Sequence, residues 1–251
     1  MNGKILEAVN LSHTFADGTS LPCGLSLTVY EKDFLVLAGK NGSGKSVLGR
    51  HFNGLLKPSG GRVLFRGMDV NKNLMLVRQK VGMVFQNPDS QIIGQTLWED
   101  TAFGPENLKL SPEEVNRRTS AALEHVDLFH LRDHRPFTLS GGEKRRLAIA
   151  GILAMEPEVL IFDEPFAGLD YPGVVMVLSQ IVGLHKKGHT IVIITHEVDK
   201  CLAHANRLVL LSEGRITAEG TPEEVFPILA EAGIRTAPYT MKQISRMTWL
   251  R

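Results

Sequence analysis

The 251-residue chain has only two cysteines, Cys23 and Cys201, far apart and outside any metal-like cluster. That scarcity argues against a disulfide scaffold and suits small buried hydrophobes in a reducing compartment. No charge of one sign dominates: 28 Lys and Arg stand against 27 Asp and Glu, a formal net charge of +1, with the two signs intermixed. Such a balance gives no electrostatic case for nucleic acid as the main partner. Long hydrophobic runs are missing too. Apolar runs such as 34–38, 159–162 and 191–194 are strand-sized and end in polar residues, whereas a membrane span takes roughly 20 consecutive apolar residues. The first residues, Met1 to Ile5, lack the apolar region of a signal peptide. The expectation is a cytoplasmic chain that only a partner brings to a membrane. Internal repeats and low-complexity segments are also absent. What remains, 43% hydrophobic and 22% charged residues, is an ordinary globular composition, long enough for a sizeable core in one or two domains.

The stretch Gly39-Lys40-Asn41-Gly42-Ser43-Gly44-Lys45-Ser46 organises the rest. It follows the apolar run 34–38 and precedes a segment, 47–56, with apolar residues at helical spacing. In a strand–turn–helix context, G-x-x-x-x-G-K-[ST] has a physical meaning. Its glycines let successive N–H groups point inward at phosphate oxygens, and the helix start adds a partial positive charge. Lys45 offers a mobile cation for the outer phosphates, and Ser46 a hydroxyl for a magnesium ion. The stretch is expected to bind a nucleoside triphosphate.

Along the chain, strands are expected at 4–11, 25–30, 62–65 and 81–85, with a variable segment around 67–78. Phe15 sits in the connection that carries the Asp17-Gly18 turn; it suits stacking on an adenine ring or packing in the core. Residues 86–105 are polar and poor in strand formers. Ser111-Pro112-Glu113-Glu114 reads as a helix start with a capping box, and a second helix is expected over about 142–155. The last third alternates: strand 159–162, helix 174–185, strand 190–194, helix 198–204, strand 207–211, then a helix from Thr221-Pro222-Glu223-Glu224. Strands alternating with helices predict an α/β fold with a mainly parallel sheet covered on both faces. The expected division is a core of 1–86 with 158–226, an inserted helical subdomain at 87–157, and a short tail at 227–251.

Two further stretches carry chemistry. The run 159–162 leads into Asp163-Glu164, placing acids at the carboxyl edge of the sheet, where ligands of open α/β sheets bind. Asp163 is suited to hold magnesium through its water shell, and Glu164 to orient or deprotonate an attacking water. Leu139-Ser140-Gly141-Gly142 opens the helix carrying Glu143; it reads either as a second anion site or as a plain N-cap.

The phosphate loop, the Leu139–Glu143 signature, the 160–165 acidic strand end, Ala167-Gly168-Leu169-Asp170 and Thr195-His196 follow the order seen in ABC-type ATPases. Over roughly 4–226 the chain strongly resembles such a nucleotide-binding subunit. The resemblance implies a P-loop NTPase (RecA-like) core with N-terminal antiparallel strands, and ATP with Mg2+ as cofactors. It gives Gln86 a contact to magnesium or water, His196 a bond to the terminal phosphate, Asp170 a place in the loop between two sites, and Phe15 the adenine stack. It further implies that Ser140, Gly141 and Gly142 act on nucleotide held by a second, facing ATPase subunit, in a homo- or heterodimer.

A narrower resemblance lies in Phe85-Gln86-Asn87-Pro88-Asp89-Ser90-Gln91-Ile92, Glu99-Asp100, the 102–107 stretch and the 139–151 stretch, with Glu143 where most signatures have Gln. These look like the energy-coupling factor branch, whose ATPases power importers of vitamins or of cobalt and nickel ions. Partners would be a transmembrane coupling subunit and a substrate-binding membrane subunit, with the ATPase peripheral at the cytoplasmic face. Glu99 and Asp100 are expected to line the docking groove or, more blandly, to form a solvated helix face. The rivals are an ATPase of another transporter class and a soluble ABC ATPase. The latter more often shows a coiled-coil insertion or tandem cassettes, which this chain lacks.

Overall fold

Strands β3 (Phe34–Ala38), β7 (Val159–Asp163) and β8 (Thr190–Thr195) are buried along their whole length in the computed structural model. The model describes residues 3–234, 244 and 248–250. Continuous apolar runs of this kind need cover on both faces, and they get it. Alternate residues face opposite sides: Phe34, Val36, Leu160 and Phe162 join one core cluster, while Leu35, Leu37, Ile161 and Val192 join the other. The sheet also contains β6 (Val81–Val84), β9 (Arg207–Ser212) and β10 (Arg215–Gly220), in the order β10-β9-β3-β8-β7-β6. All neighbours are parallel except the β9–β10 hairpin.

A second sheet packs over one face. It is antiparallel, in the order β2-β1-β4-β5, from β1 (Lys4–Ser12), β2 (Leu25–Tyr30), β4 (Gly60–Phe65) and β5 (Met68–Asp69). Between the two sheets lies α1 (Lys45–Phe52), whose Leu48 and Phe52 join the cluster with Leu6, Leu37 and Ile161. The opposite face is covered by α5 (Gly141–Leu153), α6 (Tyr171–Lys186) and α7 (Pro222–Leu229). Between β6 and β7 the chain forms α3 (Leu97–Asn107), α4 (Pro112–His125) and α5, with no strand among the described residues.

Several expectations need correction. Residues 198–204 form two short 3-10 turns, Val198–Lys200 and Leu202–His204, broken at Cys201. Helix α1 stops at Phe52 rather than near 56, because Asn53 caps it and Gly54 takes φ 71°, a left-handed turn that ends helices. Ser111 caps α4, but no capping box closes: the Glu114 carboxylate turns to Arg117 and Arg118 instead. The variable segment holds α2 (Leu74–Lys80), and the polar 86–105 stretch holds most of α3. Strand β10 was not expected. Cys201 is buried as expected, but Cys23 is exposed; both are free thiols. Helix α7 crosses the boundary placed at residue 226, and most of the tail beyond residue 234 lies outside the described residues.

Candidate active site

The phosphate loop spans the gap between β3 and α1, and two glycines show why it needs them. Gly44 caps α1 at φ 95°, in the left-handed region that side chains disfavour. A Cβ at Gly39 would collide with the Leu211 carbonyl oxygen of β9, so the loop can leave β3 this closely only without a side chain. Lys45 is 5% exposed, and its ammonium donates to the carbonyls of Gly39 at 2.7 Å and Lys40 at 2.9 Å. Burial pulls its pKa down while Glu164 and Asp163 oppose the shift. The ammonium is thus held on loop carbonyls that an anion of higher charge can outcompete.

At the carboxyl edge of the sheet, Ser46 donates to Asp163 Oδ1 at 2.8 Å. Asp163 is 4% exposed, and burial pushes its carboxyl up against the Ser46 hydrogen bond. Next to it, Glu164 adopts φ 47° and has both oxygens engaged. Thr195 Oγ1 donates to one oxygen at 2.9 Å, and His196 Nδ1 lies 2.8 Å from the other. The register Asp163↔Ile194 explains the meeting: two adjacent parallel strands end together, so the residues just past their ends face one another. Glu164 is 6% exposed, whereas the His196 side chain is 45% exposed.

Phosphate-loop residues 41–47 line a cleft of about 370 Å3 together with Phe15, Leu21, Gln86, Glu164 and His196. Phe15 is 39% exposed, with its ring 4.6 Å from His13 edge to face. It therefore packs outside the core, at the mouth of the cleft, where an aromatic face is open for a base. Gln86 is exposed on the segment after β6, which the Gln91 side chain pins through Phe85 N–H and Met83 C=O, both at 3.1 Å. Lys40 lies back from the cleft, with its stem against Gly233.

Ser140, Gly141 and Gly142 do not line this cleft. They begin α5, where Ser140 is an N-cap closed into a capping box, as the N-cap reading of the sequence has it. Glu143 Oε2 accepts from Ser140 N–H at 2.8 Å and from the Ser140 hydroxyl at 2.7 Å. A Cβ on Gly141 or Gly142 would meet nothing within 4 Å. Asp170 caps α6 by accepting from Gly173 N–H at 3.0 Å.

Two features escaped the sequence. Arg145, 4% exposed on α5, donates to the Glu164 carbonyl at 3.1 Å and the Ala167 carbonyl at 3.2 Å. It ties the helix that Ser140 caps to the loop after β7; a charge among the apolar positions of α5 was the available signal. Asp100 is 9% exposed, and its Oδ1 accepts from Ile93 and Gly94 N–H at 2.7 and 2.9 Å. It braces its own loop, and neither it nor Glu99 lines the neighbouring groove. The nearby groove, about 440 Å3, is lined instead by Asp89, Ile92, Gly94, Gln95 and residues 135–137.

The donors at this edge fit magnesium. A hydroxyl and a strand-end carboxylate are hard oxygen ligands, and Mg2+ keeps several waters and substrate phosphates beside one or two protein groups. No cluster of three or more His, Cys, Asp or Glu suited to a metal occurs among the described residues.

Comparison with known proteins agrees with this geometry. The family model described as ABC transporter matches residues 23–167. The chain is 46% identical over 225 residues to the energy-coupling factor transporter ATP-binding protein EcfA of Methanocaldococcus jannaschii, covering 88% of this chain and 81% of that one. Its fold superposes on cbiO1 of Clostridium perfringens, part of the ABC transporter complex cbiONQ, with TM-score 0.82, 39% identity and coverage of 90% and 91%. A dimeric bacterial ABC transporter cassette superposes with TM-score 0.77 at 27% identity, covering 87% of this chain and 99% of that one. A phosphate loop facing an acidic strand end, at these levels of identity, assigns the protein: the chain belongs to the ABC transporter family, among the ATP-binding subunits of energy-coupling factor transporters.

Proposed function

We propose that this ATPase subunit binds ATP with Mg2+ in the cleft above α1, hydrolyses it through Glu164, and passes the resulting motion to membrane partners that import a vitamin or a transition-metal ion. The observation that carries the reading is the Glu164–His196 contact of 2.8 Å on the same cleft as Lys45 and Ser46. Residues 41–46 cradle the phosphates with backbone N–H groups, and Phe15 stacks on the base. Lys45 leaves the loop carbonyls for the outer phosphates. Ser46, Asp163 and Gln86 hold the magnesium ion, which neutralises phosphate charge when bound. Glu164 orients and deprotonates the attacking water, while His196, fixed through Nδ1, turns Nε2 to the terminal phosphate.

The dimer and the docking face complete the proposal. Ser140, Gly141 and Gly142 close on nucleotide bound by a facing subunit, and residues 87–157 move as one helical unit. The groove of Ile92, Gln95 and Phe137, with Phe137 72% exposed and Ile93 62% exposed nearby, receives the transmembrane coupling subunit. The protein then works peripherally at the cytoplasmic face of the membrane; no helix among the described residues is long and apolar enough to cross it.

The test is Glu164→Gln. It is expected to bind ATP as the wild type does, to lose nearly all turnover and to accumulate as a closed dimer with Mg-ATP, read by phosphate release and light scattering. Wild-type hydrolysis in this variant removes Glu164 from the base role.

A further inference from the structure

The loops after β7 and β8, which begin with Glu164 and His196, are joined on their outer side by a residue from the far end of the chain. The Trp249 ring lies 5.3 Å from that of Tyr171, tilted by 31°. The Lys200 ammonium lies 5.9 Å from the Trp249 ring centre and 6.0 Å from that of Phe166, so one cation reaches both rings. Lys200 is 12% exposed and also bonds Glu197 at 2.6 Å. Thr248 Oγ1 meets His204 Nε2 at 3.0 Å, and Trp249 and Leu250 pack against the core that holds Phe166, Cys201 and Leu202.

The joined segments are those of the chemistry. Phe166 follows Glu164 by two residues, Tyr171 directly follows Asp170, and Lys200 follows His196 by four. Trp249 touches Tyr171 at the start of α6, where the first loop ends, and Lys200 in the second loop, while Glu164 and His196 meet at 2.8 Å on the cleft side. Stacked rings and a cation over an aromatic face resist separation, most of all when partly desolvated. Tyr171 itself stays 58% exposed, so this stack sits at the surface beside the Asp170 turn, where a shift of that turn changes its packing directly.

We propose that Trp249 is a positioning residue for ATP hydrolysis, holding the loop after β7 against the loop after β8 and thereby Glu164 against His196. The inference rests on the reading that these two residues act on ATP. A displacement of catalytic groups by about 1 Å lowers turnover strongly without touching substrate affinity, and that split separates positioning from simple core cover.

The experiment compares full-length Trp249→Ala, Trp249→Phe and Lys200→Met for turnover and for ATP affinity. Trp249→Ala is expected to lower kcat about ten-fold with ATP binding unchanged. Trp249→Phe, which keeps a ring, is expected to recover most of it, and Lys200→Met to fall between. In Trp98→Phe protein Trp249 is the sole indole, since the chain has two tryptophans. Its emission is expected to shift when Mg-ATP closes the Glu164→Gln form. Wild-type kcat in Trp249→Ala, equal losses in the Ala and Phe variants, or an indole silent to Mg-ATP each overturn the proposal. Should Trp249→Ala fail to fold, the Phe and Lys200→Met pair and the indole signal decide. Absence of ATP turnover in the unsubstituted protein would instead sink the functional reading and leave the loop contacts standing.

Discussion

His51 is fully buried on α1, with Nδ1 3.1 Å from the Leu56 carbonyl and its ring 5.0 Å from that of His13. A carbonyl only accepts, so Nδ1 carries the proton and Nε2 is a buried lone pair without a partner among the described residues. Burial first, then the field of His13, lowers its pKa from 6.5 to about 4. The unfolded chain therefore binds a proton here that the folded chain refuses between pH 6.5 and 4. Stability from this site is intact above pH 6.5 and declines as pH falls through that window, by about 3 kcal/mol in all. His51→Asn, which keeps a donor for Leu56, is expected to flatten that part of the pH dependence in urea titrations. An unchanged slope would place the acid sensitivity elsewhere. At this scale the sequence was readable wherever a residue type and a spacing mark one position of a cleft, as for Lys45, Ser46 and Glu164. It was silent where the partner depends on register. Thr195 holds Glu164 only because β7 and β8 run parallel with Asp163 opposite Ile194, and no local spacing encodes that.

The elements were legible in proportion to their local signals. Strand-sized apolar runs such as 34–38 do form strands of a covered sheet, and Ser140, Ser111 and Thr221 each cap a helix within a residue of the expected start. Helix α3 was hidden because Gly94, Gly104 and Pro105 read as breakers, although Thr96 with Glu99 three residues on is the signature of a cap. Residues 198–204 show the opposite error: a helix was expected, but Cys201 leaves helical geometry at φ −131° and ψ −13°, which splits the segment into two 3-10 turns with Val198, Cys201 and Leu202 all in the core. Asp100 supplies the test at this scale. Its carboxylate holds the two N–H groups that start the loop into α3, and burial pushes its pKa up. Asp100→Ala is expected to cost about 2 kcal/mol, by leaving both donors without an acceptor. Asp100→Asn keeps the accepting oxygen and should retain most of the stability and the binding of the membrane partner. Normal stability with lost partner binding in Asp100→Asn would return this residue to the docking face.

For the whole molecule, the informative fact is what the chain does not ask of its own glycines. Gly141 and Gly142 have ordinary negative-φ backbones and open space where a side chain would go, so nothing within this fold excludes one. If they are needed, whatever comes close must arrive from outside the chain, and the cleft with Lys45 is not lined by them. Complementation tests that geometry. Lys45→Ala disables the phosphate loop, and Gly142→Asp blocks the start of α5 while leaving the subunit folded. Each alone should be inactive as a dimer of identical chains. In a two-fold dimer of one of each, one site carries both defects and the other carries neither. An equal mixture then regains up to about a quarter of wild-type hydrolysis, from half the dimers with half their sites intact. Recovery on mixing, measured as phosphate release against each variant alone, requires that the two subunits build each site together. A mixture as inactive as its parents would mean that this chain does not complete its own copy's site.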